Sequence, residues 1–447
     1  MKRKVAGVLA AAMAAGMLAG CGSSAKPADT TAAKAEDTKA AEGSTEAAAD
    51  NGDKITIEFW HCMGSSNGEL IQQITDSFNE SQDKIFVKAV HQGSYTDAGT
   101  KMQAALAAGE APVLAQMEIG MLGIFADADQ LVDLQKFVDE ENYDMSDFMS
   151  GLLDASYYNG ALVALPHSRS VPVLYYNKDL FDKAGVEYPS NDLTMEDYDA
   201  LARKMTSGSG DTKVYGCHYH TWRSAASLFS ILDGKNTIID GKYDFMKPTY
   251  DMVIAQQKDG ICMDYGYLKT SSLHYSAAFE NQQCAMVNMG SWFISTLEAY
   301  MKDAETKFNW GIVKYPHPAG AEAGSTLGTV TSLAINADSP KAEAAADFIN
   351  WCVSEEGAQA IAKTGTFPAC GSAATAEIIK STEGFPEDSN SVDALTTSNV
   401  YLEMPYTQYA SDIETILNAE HDAIMTMSET VDEGIQNMND QVPAVLG

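Results

Sequence analysis

The chain has 447 residues, 45% of them hydrophobic, and a formal net charge of −33 at pH 7. Such acidity excludes nucleic-acid binding, because no basic face is left to replace the counterions of the phosphates. The length is sufficient for two lobes of ordinary size, each with its own core.

The N-terminus carries the pattern of a secretion signal. Three basic residues, Lys2, Arg3 and Lys4, precede an apolar stretch at residues 5–18. As a helix this stretch would span only about 21 Å, short of the roughly 30 Å core of a bilayer, so it predicts a signal peptide and not a membrane span. Residues 18–21 (LAGC) resemble the lipobox of bacterial lipoproteins, which implies a signal peptide over residues 1–21 and a lipid on Cys21. The alternative is an ordinary cleavage site beside a chance cysteine.

Residues 22–53 are rich in Ala, Thr, Lys, Glu, Asp and Ser and contain no aromatic residue. Such a segment cannot bury enough apolar area to offset its ordering entropy. The sequence therefore predicts a disordered tether between the lipid and a folded body.

Strands and helices alternate from residue 55 onward. Alternating apolar and polar residues at 55–60 predict a half-buried strand, and a glycine-rich loop at 64–68 precedes helical spacing over 70–78. The same reasoning predicts, in chain order, a strand at 85–90, a helix at 102–108, a strand at 113–117 and a further unit beginning at 131. This alternation predicts a mostly parallel sheet with covering helices.

Two extended segments, residues 162–166 and 171–177, flank a turn. Pro166 and Pro172 keep the residues before them extended, which suits a crossover between two lobes. The later pattern predicts helices at 178–184, 195–205, 245–258, 342–352, 356–363 and within 412–439, and strands at 285–289, 309–313 and 332–335.

Ordered motifs in the folded part resemble extracellular solute-binding proteins of family 1, the receptors of ABC sugar importers. Residues 158–166 (YNGALVALP) are similar to the family's Y-x-G-K-x-Y-A-L-P, and residues 174–181 (LYYNKDLF) match its L-Y-Y-N-K-D-L-F. Residues 279–286 (FENQQCAM) are similar to F-x-x-G-x-x-A-M without the usual glycine. Each motif is weak alone, but their order and spacing together are specific.

Within that family the chain is most similar to glycerol-3-phosphate-binding proteins. The similar segments are residues 59–63 (FWHCM), 93–95 (GSY), 111–120 (APVLAQMEIG) and 170–177 (SVPVLYYN). Carried over position by position, the ligand contacts would be Tyr95, Glu118, Ser170 and the turn of Gly290 and Ser291. The C-terminal arginine that clamps the phosphate in those receptors has no counterpart, since no arginine follows Arg223. Arg169 is a candidate substitute, and a neutral sugar or a phosphodiester is as plausible a ligand as glycerol 3-phosphate.

A cleft that binds a sugar-like solute needs aromatic faces and polar groups for hydroxyls. Trp60 ends the first strand, and the carboxyl ends of parallel strands are where α/β sheets place ligands. Trp222 lies in a polar aromatic run with Arg223, and Trp292 follows a predicted strand. The predicted ligand-binding residues are Trp60, Tyr95, Glu118, Arg169, Ser170, Trp222, Gly290, Ser291 and Trp292. For Trp60 the alternative is a core position, and for Trp222 surface packing.

No catalytic residue, cofactor or metal is predicted. His218 and His220 would share one strand face, but no third ligand at a suitable spacing supports a metal site. A secreted glycoside or phosphodiester hydrolase is the alternative function, with Glu58, Glu69 and Glu118 as possible carboxylate pairs. No G-x-S-x-G, HExxH or phosphate-loop motif supports it. A surface adhesin would leave the ordered motifs unexplained.

The expected fold class is α/β, a two-lobed periplasmic-binding-protein-like fold of class II with a hinge and an interlobe ligand cleft. Lobe 1 would comprise residues 54–168 and 328–371, and lobe 2 residues 169–327 and 372–447. The resemblance implies a monomeric receptor, lipid-anchored at the extracellular face of the cell membrane. Its partners would be a sugar-like or glycerol-phosphate-like solute and the permease subunits of an ABC importer.

Overall fold

The computed structural model describes residues 54–446 apart from 118, 141–144, 146–147, 149–152, 371, 396–398, 406 and 408. The predicted signal peptide, Cys21 and the tether lie outside these residues, and so does Glu118. In the described part of the chain no helix is both long and apolar enough to cross a bilayer.

The strands vary widely in length and come from all parts of the folded chain. They are β1 (Ile55–His61), β2 (Ile85–His91), β3 (Leu114–Met117), β4 (Tyr157–Tyr158), β5 (Ala161–Leu162), β6 (Leu165–Ser170), β7 (Pro172–Asn177), β8 (Met286–Gly290), β9 (Trp310–Lys314), β10 (Ser325–Ile335) and β11 (Asn399–Leu402).

Helices connect the strands and form most of the C-terminal part. They are α1 (Ser65–Ser81), α2 (Tyr95–Ala108), α3 (Ile119–Asp127), α4 (Gln135–Glu140), α5 (Lys178–Ala184), α6 (Met195–Met205), α7 (Ser224–Ser227), α8 (Lys247–Lys258), α9 (Tyr265–Ser271), α10 (Tyr275–Glu280), α11 (Phe293–Asp303), α12 (Ala342–Val353), α13 (Glu355–Lys363), α14 (Ala373–Lys380), α15 (Ser389–Ala394), α16 (Ala410–Met425) and α17 (Val431–Leu446).

The larger sheet has the order β11-β10-β3-β1-β2, with β6 also paired to β10. β1 is parallel to both β2 and β3, which confirms the parallel arrangement predicted for the first strands. β10 runs parallel to β11 but antiparallel to β3 and β6, so the prediction of a mostly parallel sheet is wrong for these two pairings. One helix, α1 or α2, returns the chain between each of the successive strands β1, β2 and β3, so these strands run in the same direction. β10 instead follows β9 of the other sheet.

The smaller sheet has the order β8-β7-β9, and both pairings are antiparallel. Successive side chains of its central strand β7 point to opposite faces of the sheet, and both faces are covered by a core. Leu174 and Tyr176 pack into a core with α8, α16 and α17, whereas Val173 and Tyr175 pack into a core with α10 and α11. The motif at residues 174–181 therefore forms the centre of this lobe.

The chain passes between the two sheets at three neighbouring places. β6 leads into β7 through Val171, and β9 is followed by β10. The third passage is at residues 367–369, because Phe367 packs with the smaller sheet and Ala369 with the larger one. Arg169 N donates to Phe367 O at 2.9 Å, which ties the first passage to the third. The lobe boundaries given above stay predictions.

Several elements differ from the sequence prediction in extent. α1 already begins at Ser65, within the predicted loop, and β10 extends back to Ser325. α3 was not predicted, because its sequence IGMLGIFAD is apolar nearly all round and shows no helical periodicity. The C-terminal helical region is broken between α16 and α17, where Met427 has a φ of 57°. A backbone in that left-handed region ends a helix.

Candidate functional site

The carboxyl ends of β1, β2 and β3 meet at one edge of the larger sheet. Gln92 N donates to His61 O at 2.9 Å, and Cys62 N donates to Gln116 Oε1 at 3.0 Å. Gly93, with a φ of 98°, makes the turn after β2. These contacts hold the strand ends in register, as expected of a ligand-bearing edge in an α/β sheet.

Tyr95 is placed by the turn and helix that follow β2. It is the first residue of α2, and Ser94 caps that helix by accepting from Asp97 N at 3.2 Å. The Asp97 carboxylate in turn accepts from Ser94 N at 3.1 Å. This reciprocal cap fixes the start of α2, and therefore the position of Tyr95.

Trp60 lies beside Tyr95, and both are half-buried. The two rings pack against the same cluster, which includes Met102, Ala115 and Met117. Trp60 Nε1 donates to Glu58 Oε1 at 2.6 Å, so the indole is held in one orientation. The structure thus brings two of the predicted site residues together, and it places Trp60 at the margin of the core. Glu118 would follow directly after β3 but lies outside the described residues.

Ser170 and Ser291 meet where the chain passes between the sheets. Their Oγ atoms are 3.2 Å apart, and Val171 N donates to Ser291 Oγ at 3.3 Å. Gly290, at the end of β8, accepts from Tyr175 Oη at 2.9 Å. A Cβ at Gly290 would lie 2.1 Å from the Trp292 ring, so only glycine fits this turn.

Trp292 and Trp222 form an aromatic cluster next to this turn. Trp292 Nε1 donates to Tyr275 Oη at 3.0 Å, and the Trp222 ring lies 6.3 Å from the Trp292 ring and 5.7 Å from the Tyr275 ring. Trp222 keeps 44% of its surface exposed, although it contacts three rings. A large ring that is both anchored and exposed offers a preformed face for a ligand.

Sequence reasoning missed two members of this cluster, Tyr275 and His274, whereas His220 lies in the run around Trp222. His220 packs edge-on against Trp222 at 4.5 Å and lies 5.3 Å from the His274 ring. The signal that could have found them is the run Leu273-His274-Tyr275, which is polar and aromatic like the run around Trp222. The two runs are distant in sequence, and only the fold joins them.

Burial keeps the histidines of this region neutral. It lowers the pKa of His218 to about 3 and that of His220 to about 4. No described residue makes a hydrogen bond to either ring nitrogen of His218 or to Nδ1 of His220. In the described residues no group of three His, Cys, Asp or Glu side chains is arranged to hold a metal ion.

Arg223 does not line the site, which corrects the interpretation that it accompanies Trp222. Its Nη2 donates to Glu403 Oε1 at 2.9 Å and to Glu414 Oε1 at 2.8 Å, and the residue is buried. The guanidinium therefore stabilises the packing of α16 and the segment around β11. Arg223 directly follows Trp222 in sequence, but its side chain is buried.

Arg169 lies on β6, one residue before Ser170, and is partly exposed. Its Nε and Nη1 are buried and have no hydrogen-bond partner among the described residues. The guanidinium lies over the Phe367 ring, with Cζ 5.5 Å from the centroid. Burial lowers the pKa of this side chain from its usual value.

The structure thus gathers the predicted site residues into two groups. Ser170, Gly290, Ser291, Trp292 and Trp222 lie in one, and Trp60 and Tyr95 lie in the other. A surface depression of about 800 Å³ lies elsewhere, lined by Lys178, Glu298 and Trp310 among others, and none of the predicted site residues lines it.

Comparison with known proteins supports this fold. A sugar transporter from Rhizobium etli, solved in an open conformation, is 38% identical, covers 87% of this chain and 99% of its own, and superposes with a TM-score of 0.77. An ABC substrate-binding protein from Listeria monocytogenes in complex with cycloalternan is 22% identical and covers 88% of this chain and 100% of its own, with a TM-score of 0.75. This second likeness concerns the fold alone.

The sn-glycerol-3-phosphate-binding periplasmic protein of Yersinia pestis is 25% identical over 409 residues, which are 85% of this chain and 90% of that protein. Its counterpart in Salmonella typhimurium is 26% identical over 418 residues, which are 86% of this chain and 91% of that protein. The sequence profile of the bacterial extracellular solute-binding proteins matches residues 73–387. That match spans most of the folded part, and the chain therefore belongs to the bacterial extracellular solute-binding proteins, with their two-lobed α/β fold.

Proposed function

We propose that this chain captures a small polar solute outside the cell and delivers it to the permease of an ABC importer. The observation that carries the proposal is the meeting of Ser170 and Ser291 with Trp222 and Trp292 where the chain crosses between the two sheets. Hydroxyl groups beside exposed aromatic faces suit a hydroxyl-rich solute, because the rings stack on C–H faces and the hydroxyls exchange hydrogen bonds.

The solute would be held between two surfaces. Trp60 and Tyr95 would contact it from the edge of the larger sheet, and Trp222 and Trp292 from the smaller one. Glu118, which follows β3, would accept hydrogen bonds from its hydroxyls. The three neighbouring passages between the sheets would form the hinge, and bound solute would shift the hinge equilibrium toward a closed form that the permease recognises.

The names of the similar proteins indicate two classes of solute. The protein of Yersinia pestis is named for sn-glycerol 3-phosphate, and that of Rhizobium etli is described as a sugar transporter. Both classes share several hydroxyl groups on a small carbon frame. For this chain we propose a sugar, an oligosaccharide or a glycerol-phosphate-type solute.

The N-terminal motif supports a lipid anchor on Cys21, which would keep a monomeric receptor at the outer face of the membrane near its permease. Replacing this residue (Cys21→Ala) would remove the only sulfur at the lipobox, and the protein should appear in the medium instead of the membrane fraction. Retention of the variant in the membrane fraction would show that the anchor lies elsewhere.

The test of capture is a thermal-shift screen of the full mature protein against sugars, oligosaccharides, glycerol phosphates and glycerophosphodiesters. A ligand that binds only the folded state raises the unfolding temperature in proportion to ln(1 + [L]/Kd). The proposal expects at least one solute to do so and to be recovered chemically unchanged. Recovery of cleaved solute would identify a hydrolase instead.

A further inference from the structure

The described part of the chain contains three arginines, and they differ in how their charge is compensated. Arg203 donates to Asp199 Oδ2 at 2.8 Å and to Asp259 Oδ2 at 2.6 Å. Arg223 is paired with two glutamates, as described above. Arg169 makes no ion pair with any described residue, and its Nε and Nη1 have no acceptor. The chain has 62 acidic residues, so the absence of a carboxylate partner for this guanidinium among the described residues needs an explanation.

The energetics make this arrangement unfavourable unless a ligand completes it. Arginine does not lose its proton in proteins, so a buried guanidinium cannot become neutral as a buried carboxyl can. Removing such a charge from water without a counter-charge is strongly unfavourable. The Phe367 ring at 5.5 Å compensates only in part, because a ring face is a weaker partner than a carboxylate or a phosphate.

The position of Arg169 connects this charge with the candidate site. On one side β6 pairs with β10, and Arg169 lies opposite Val330. On the other side Arg169 N donates to Phe367 O at 2.9 Å. All three passages between the sheets therefore surround it. The next residue is Ser170, whose Oγ contacts Ser291 Oγ. The residue as a whole is partly exposed, whereas Nε and Nη1 are buried, so an oxyanion would reach these two atoms only when the lobes open.

We propose that Arg169 is the anion-binding residue of the receptor, and that the solute carries an oxyanion, either a phosphate ester or a carboxylate. The proposal rests on the proposed solute-binding function. The planar guanidinium would donate two parallel hydrogen bonds to the oxyanion, while the serines and aromatic rings hold the rest of the solute. The oxyanion would compensate the charge of Arg169 where the chain passes between the sheets, and this would also favour the closed arrangement of the lobes.

The test compares matched solutes that differ only in the charged group. Titration calorimetry on the full mature protein would use glycerol against sn-glycerol 3-phosphate, glucose against glucose 6-phosphate, and glucose against glucuronate. The phosphate and carboxylate arms distinguish the two kinds of oxyanion. We expect the charged member of at least one pair to bind at least about 10-fold more tightly than the neutral member, as for a charge-assisted contact.

Variants then assign the effect to this side chain. Arg169→Gln should weaken binding of the charged solute about 10- to 100-fold, and Arg169→Lys, which keeps the charge but not the fork, should lie between it and wild type. Arg203→Gln, on the surface of α6, is the control for loss of an arginine and should bind like wild type.

Equal affinity for the charged and neutral members, with Arg169→Gln binding both like wild type, would overturn the anion proposal and leave the solute-binding function standing. Failure of every solute class to bind would count against the proposed function itself. Should Arg169→Gln not fold, the matched pairs on the wild-type protein still decide the question.

Discussion

Arg169 and Arg223 show two ways in which this fold treats a buried guanidinium. Around Arg223 the chain supplies Glu403, Glu414 and Ser227 within 2.9 Å, and only Nε is left without a partner. Around Arg169 it supplies a ring and a backbone carbonyl for the amide, and the part of the chain that the structure describes supplies no acceptor for Nε or Nη1. The first arrangement is complete in the protein alone, and the second is not.

The difference separates a structural charge from a binding charge. A buried charge that serves packing must be compensated within the chain, because an unpaired one destabilises the folded state. A charge that serves binding is compensated by the ligand, and the free protein tolerates the incomplete arrangement. Stability measurements should therefore respond strongly to Arg223 and weakly to Arg169, whereas affinity should respond in the opposite order.

The largest expected effect is on stability at Arg223. Arg223→Gln would leave Glu403 and Glu414 near each other without their shared cation, so the free energy of unfolding should fall by about 3–5 kcal/mol. Urea unfolding followed by circular dichroism would measure it. Arg203→Gln is the control, because its ion pairs are partly exposed and should contribute less than about 1 kcal/mol. Equal losses in the two variants would contradict the distinction between them.

Glu298 is a buried acid outside the site, and its charge can be compared with those of the two arginines. Its Oε1 has no partner, and burial raises its pKa from 4.5 to about 8. Between pH 4.5 and about pH 8 the folded protein therefore keeps a proton that the unfolded chain has released. The contribution of the Glu298 carboxyl to the free energy of unfolding is greatest below pH 4.5 and is lost as the pH rises to about 8. Unlike arginine, the carboxyl avoids an unpaired charge by staying protonated.

The corresponding variant is Glu298→Gln, which is neutral at every pH. Relative to wild type it should gain roughly 2–4 kcal/mol of stability between pH 5 and pH 8. Urea unfolding at several pH values measures the difference between the two proteins, in which the contributions of other groups cancel. A difference that does not change with pH would show that the wild-type carboxyl is already ionised at neutral pH.

The aromatic cluster should affect binding rather than stability. Trp222→Ala removes an exposed ring face and should weaken solute binding by about 1–3 kcal/mol while the protein still folds. Titration with the solute that gives the largest thermal shift would measure this. Tyr267, with 54% of its surface exposed on α9, offers a matched control, and Tyr267→Ala should bind like wild type. A large loss of stability in Trp222→Ala would instead identify this ring as a packing residue.

The smallest expected effect is on stability at Arg169. Arg169→Gln removes a buried charge together with a cation–π contact, and these two contributions oppose each other. Because the ring compensates the buried charge only in part, the free energy of unfolding in the absence of solute should not fall, and it should stay within about 1 kcal/mol of wild type or rise above it. A loss comparable with that of Arg223→Gln would mean that the chain does compensate this charge, and the contrast between the two arginines would fail.

The sequence was most informative where a signal is local. Strand alternation located β1 and β2, and the motif at residues 174–181 located β7 and α5, because hydrophobic periodicity reflects which face is buried. The pair of Gly290 and Ser291 was found as a turn after a strand. Each of these patterns is contained in fewer than about ten residues.

What the sequence could not provide depends on contacts between distant residues. Arg223 and Glu403 are 180 residues apart, so nothing beside Arg223 indicates that it is buried and paired. Tyr275 joins the aromatic cluster only through the packing of α10 against β8. β10 is antiparallel to β3 because of the direction in which the chain returns to the larger sheet. Pairing between strands so distant in sequence leaves no local pattern.

Small-angle scattering of the full mature protein tests the central claim most directly, that two lobes close on an intact solute. The measurement would be made with and without the solute that gives the largest thermal shift, at saturation. The account predicts a smaller radius of gyration in the complex and recovery of unaltered solute. An unchanged radius at saturation, or conversion of the solute, would contradict it.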